Sequence, residues 1–166
     1  MKRLFLLPFL VVALHAQPAF YQPDGWALGT EFPGTPKASE KRGKMPQGEL
    51  VELRAYFEKG GEVYAVERVL YPIPLPPEKH DVGYEGGKRG MLRANPGVIK
   101  SEEKISICGY EGRRYLVERK NGARLTDHRV VIVGNEVYQF AYERFTKDEA
   151  SPASEAFFSK IAEKKG

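Results

Sequence analysis

Two runs of branched and aromatic residues, Val130-Val131-Ile132-Val133 and Val137-Tyr138-Gln139-Phe140, meet at Gly134-Asn135. A glycine at the first of two loop positions supplies the positive φ of a type II′ turn, so the pattern predicts a β-hairpin. With a two-residue loop, Val133 faces Glu136, Val131 faces Tyr138 and Arg129 faces Phe140. Ile132, Val130 and His128 then stand on the opposite side with Val137, Gln139 and Ala141. Apolar groups occupy both sides, which places this hairpin centrally in a sheet covered on both faces.

The same alternation recurs along the chain. Trp26, Leu28, Thr30 and Phe32 share one side of a first strand that stops at Pro33-Gly34-Thr35-Pro36. Residues 37–48 are charged and read as a loop. Val51, Leu53, Ala55 and Phe57 alternate with Glu52, Arg54, Tyr56 and Glu58, and a three-residue turn, Lys59-Gly60-Gly61, returns the chain through residues 62–71. Four prolines between Pro72 and Pro77 forbid a strand and predict a polyproline connector across the sheet edge. Its PxxP pattern, Pro74 to Pro77, is also that of a docking ligand, but a stiff connector explains it as well.

Helix is predicted over residues 78–95, with Met91 and Leu92 apolar, although Gly83, Gly86, Gly87 and Gly90 weaken it and mark the segment as flexible. A three-stranded meander follows. It runs from Val98 to Cys108 with Ile105 and Ile107 inward, turns through Gly109-Tyr110-Glu111-Gly112-Arg113, continues from Arg114 to Lys120, and turns again at Asn121-Gly122 into the opening hairpin. A closing helix has Ser151 as N-cap, Pro152 in its first turn and an apolar stripe of Phe157, Phe158 and Ile161.

Order of elements and motifs together, from Phe32-Pro33-Gly34-Thr35-Pro36 through Gly109-Tyr110-Glu111-Gly112-Arg113 to Phe157-Phe158, resemble the PsbP-like superfamily. That superfamily holds the extrinsic photosystem II protein PsbP, a Ran-binding nuclear import factor and many exported bacterial proteins. The resemblance implies an α+β fold, a central antiparallel sheet of six to seven strands flanked by helices, and a role in binding or assisting other proteins. The motifs are turn and core signatures, so they speak to fold more than to function.

The first residues alter where this domain would work. Lys2-Arg3, the apolar stretch from Leu4 to Leu14 and Ala16 have the layout of a secretory signal, so residues 1–16 are expected to be removed and residues 17–166 to form one domain that is exported to the periplasm or beyond. The apolar stretch is too short to span a bilayer, and no cysteine near the cleavage site could take a lipid. Loss of Lys2 and Arg3 lowers the formal charge from +4 to +2, too weak and dispersed to predict nucleic-acid binding. A single cysteine, Cys108, rules out an internal disulfide.

Candidate chemistry is sparse. His80, His128 and Cys108 are scattered without HExxH or CxxC spacing, so no metal site and no cofactor are expected. His80-Asp81 and Asp127-His128 are neighbours that a strand would point to opposite faces. Neither Ser101 nor Ser106 sits in a GxSxG elbow, and the glycines from Gly83 to Gly90 lack the Walker spacing. Cys108 reads as a small buried hydrophobe at a strand end.

Arginine and tyrosine are the residues that interface hot spots favour. Arg113, Arg114 and Arg129, interleaved with Tyr110, Tyr138 and Tyr142, are the candidate partner-binding set; cross-strand pairing with nearby glutamates is the competing account. The expectation is an exported, non-catalytic binding or accessory protein of the cell envelope with a protein partner. The alternatives are a small-molecule or lipid-binding domain, with the ligand between sheet and helix, and a hydrolase.

Overall fold

The computed structural model describes residues 18–163; the expected signal segment, residues 1–16, lies outside them. The centre is a seven-stranded antiparallel sheet built from β3 (Lys37–Met45), β4 (Gly48–Lys59), β5 (Glu62–Leu70), β6 (Gly97–Ile107), β7 (Tyr110–Arg119), β8 (Arg124–Val133) and β9 (Glu136–Phe145), in the spatial order β3-β4-β5-β9-β8-β7-β6. The hairpin that the hydrophobic pattern makes central is central. Its register pairs Val133 with Glu136, Val131 with Tyr138 and Arg129 with Phe140, and Gly134 takes φ +63° while Asn135 does not turn left-handed, as a type II′ turn requires.

One face of this sheet carries the larger core. Tyr64, Val66, Val131, Tyr138 and Phe140 project from it against a second, three-stranded sheet of β1 (Ala19–Tyr21), β2 (Leu28–Phe32) and β10 (Ala162–Glu163), together with α2 (Pro152–Ser159). Trp26, Leu28, Thr30 and Phe32 are all buried here, as their alternation predicts. Phe157 of α2 meets Phe32 edge-on with ring centroids 5.4 Å apart. The opposite face carries a smaller core, where Tyr84 of α1 (His80–Ala94) packs with Tyr115, Val117, Val130 and Ile132.

The expected helix-flanked α+β sheet is therefore corrected to a β-rich fold. Among the described residues there are ten strands and two α-helices, and the layer over the larger core is mainly a second sheet. Two physical causes stand out. The strand β2 buries its apolar side against the main sheet instead of joining its ladder, pairing with β1 and β10. Residues 37–45, which read as a charged loop, form the edge strand β3 on the ladder of β4. Lysine-rich edges are how natural sheets discourage further pairing, so polarity on both sides marks an edge here, not a loop.

Turns supply smaller corrections, one of them that Tyr110 to Arg113, read as a turn, open the strand β7. Gly60 and Gly61, both left-handed at φ +60° and +84°, make a two-residue loop between the paired Lys59 and Glu62, one residue shorter than expected. Cys108 is not buried: it is exposed at φ +51° in the two-residue turn with Gly109 that joins Ile107 to Tyr110. In β6 a bulge between Ile99 and Ser101 reverses the alternation, so Ile99 joins the smaller core while Ile105 and Ile107 join the larger one.

The proline connector places α1. Leu75 N–H donates to Gly134 O at 3.2 Å, and Asn135 Nδ2 donates to Tyr71 O at 2.8 Å. The chain thus passes under the tip of the central hairpin and delivers α1 to the second face, where the Tyr84 hydroxyl donates to Glu111 O at 2.6 Å.

Candidate binding cleft

Beside α1 the second face of the sheet is left open by a cleft of about 700 Å³. Its existence follows from side-chain size. Ala65 and Ala141 are directly paired at its floor, and Gly86, Gly87 and Gly90 form its wall on α1. A Cβ added to any of these three glycines would meet nothing within 4 Å. They are not there to let α1 approach a neighbour. Gly83 is, since its Cβ would lie 2.7 Å from Leu75 Cδ2 and 3.2 Å from Ile132 Cδ1. The four glycines that the sequence marks as flexible thus lie in a formed helix, where one serves packing and three leave space.

The floor is polar at both ends. At one end His128 Nε2–H donates to Gln139 Oε1 at 3.1 Å, and Gln139 Nε2 donates to Glu67 Oε1 at 3.3 Å. Burial pulls the imidazole down to about 4, so His128 is neutral at pH 7. Burial, and after it the charge of Glu52, pushes the Glu67 carboxyl up, while Arg54 and Lys41 hold it back. At the other end Arg119 Nε donates to Thr126 Oγ1 at 3.0 Å, and that hydroxyl donates to Glu143 Oε2 at 3.1 Å. Arg124 Nε donates to the other Glu143 oxygen at 2.9 Å. Arg119 is 3% exposed and its Nη1 is buried without a hydrogen-bond partner.

The Thr126 hydroxyl is bonded to Glu143 and the His128 imidazole to Gln139, so the two side chains are not paired with each other. Among the described residues no three His, Cys, Asp or Glu side chains converge to hold a metal ion. No described helix is long and apolar enough to cross a membrane.

The arginine and tyrosine set does not share one surface. Arg113 is buried on the α1 face, paired with Asp81 and with Glu111 at 2.7 Å, its guanidinium 4.8 Å from the Tyr84 ring centroid. Arg114 points through the opposite face to Asp127 at 2.9 Å. Arg129 reaches the same carboxylate at 3.1 Å and lies 3.7 Å from the Phe158 ring centroid. Tyr138 and Tyr142 are core residues, and Tyr110 is half-buried beside Glu163. Of this set only Arg114, Arg129 and Tyr142 meet, in a depression beside α2.

Glu67, Thr126 and Gln139, which line the cleft, escape the sequence reading as site residues, while Arg119 belongs there to the arginine cluster of the meander and Glu143 to the glutamates that could pair with it. A signal for them exists: Glu67, Gln139 and Glu143 share the parity of Val63, Ala65, Val69 and Ala141, so they are polar residues at positions that a covered sheet face would make apolar. Compared with known protein families and with curated proteins, the chain matches none.

Proposed function

We propose that this protein is a binding module that holds one small amphipathic molecule in the cleft between α1 and the sheet. The observation that carries the reading is the wall of Gly86, Gly87 and Gly90, three helix-weakening residues with nothing packed against them beside an alanine floor. Each costs α1 roughly 1 kcal/mol relative to alanine, and the cleft is what that cost leaves open. Its volume of about 700 Å³ lies within the range of small-molecule sites, and its floor sets an apolar strip at Ala65 and Ala141 between polar groups at both ends, which suits an amphipathic molecule. Export, read from residues 1–16, would place this binding in the cell envelope.

Native mass spectrometry of the gently purified protein tests the reading against a Gly90→Leu variant, whose side chain would fill the wall. The wild type should carry a small-molecule adduct that the variant lacks. Bare wild-type protein, or the same adduct on both, would overturn the proposal.

A further inference from the structure

Four arginines are buried in the described structure, and three are neutralised by carboxylates. Arg68 pairs with Glu136, Arg113 with Asp81 and Glu111, and Arg124 with Glu143 at 2.9 Å. Arg119 has no carboxylate in ion-pair contact among the described residues; its Nε is spent on the Thr126 hydroxyl and its Nη1 has no partner. A buried guanidinium cannot shed its proton to escape this situation, because it stays charged at any physiological pH. It lines the cleft at the end where Asn95 follows α1, since Gly97, two residues on, is its register partner.

We infer that Arg119 is the anchor for the carboxylate of an amphipathic monocarboxylate whose aliphatic body lies over Ala65 and Ala141 against the glycine wall. The inference rests on the cleft being the binding site. The fork of guanidinium donors fits a carboxylate, and such charge-assisted bonds are at their strongest when withdrawn from water. The charges nearby set the sign and the valence. Arg119 and Arg124 face one Glu143, which leaves a single positive charge at this end. At the other end Glu52 and Glu67 are matched by Arg54 and Lys41, so no net positive charge is left there to draw an acidic head. Glu143 beside Thr126 would also repel a dianion.

Decanoate, decan-1-ol and decylamine, titrated into the full chain by isothermal calorimetry, separate the possibilities because they share a tail and differ in the head. Decanoate should bind about tenfold or more tightly than the alcohol, the gain expected of one hydrogen-bonded ion pair, and the amine should be weakest. The preference should vanish in Arg119→Gln and in Arg119→Met, which keeps the side-chain bulk, while alcohol binding is retained. Equal affinity for acid and alcohol in the wild type, or an acid preference that survives both substitutions, would overturn the anchor and leave the cleft standing. Binding of none of the three, together with bare protein in the mass spectrum, would overturn both.

Discussion

His128 and Gln139 stand on adjacent central strands with His128 Nε2 3.1 Å from Gln139 Oε1, so the imidazole donates one hydrogen bond from inside the cleft floor and is held neutral by burial. The folded pKa of about 4 lies below the ordinary 6.5. Between these values the unfolded chain binds a proton that the folded protein refuses, so stability rises with pH across the window. The contribution is complete above about 6.5 and is lost as pH falls towards 4, by up to about 3 kcal/mol. Urea unfolding at pH 7 and pH 4.5 should show the wild type losing more stability than His128→Leu. An equal loss would mean that the imidazole is protonated in the folded state.

The glycines of α1 separate into two kinds by experiment as they do by geometry. Gly86→Ala, Gly87→Ala and Gly90→Ala should each raise stability by up to about 1 kcal/mol, since the added methyl meets open space and the helix propensity improves. Gly83→Ala should be less stable than any of these, because Leu75 and Ile132 must move aside. Chemical-denaturation midpoints for the four variants decide the order.

Tyr138 joins the two sheets. Its hydroxyl accepts from the Ala27 N–H at 2.6 Å and donates to Glu136, which is also the partner of Arg68. Tyr138→Phe keeps the ring against Phe140 but leaves the Ala27 donor unpaired. A loss of about 1–3 kcal/mol is expected, and faster amide exchange at Ala27 would locate it.

Ser151 caps α2 and ties it to β5: its Oγ accepts from Ser154 N–H at 3.3 Å and donates to Glu62 at 3.0 Å. Ser151→Ala should cost about 1–2 kcal/mol. The loss should appear as fraying of α2, read from exchange protection at Ser154, while protection in β8 and β9 is unchanged.

Much of this architecture is legible locally. Alternation predicts the central hairpin and its register, and Ser151-Pro152 predicts the start of α2, because neighbouring side chains on one element decide those features. Edge and layer are another matter. Nothing local tells Lys37–Met45 that β4 offers it a ladder, or tells β2 to lie across the sheet instead of beside it. The same limit separates Arg113 from Arg114. Strand parity sends them to opposite faces, and only the covering elements determine that one is buried by α1 and the other shares Asp127 with Arg129.

By itself the amino-acid sequence determined the strands with one apolar side, the central hairpin turn at Gly134-Asn135, and the Ser151 cap of α2. Those are short-range preferences of the backbone and of side-chain periodicity. The tertiary structure alone decided that three bare glycines would face two paired alanines and that Arg119, among the described residues, would be buried with no carboxylate in ion-pair contact and with its Nη1 unpartnered. Both depend on residues far apart in the chain being brought together, and empty space has no sequence of its own.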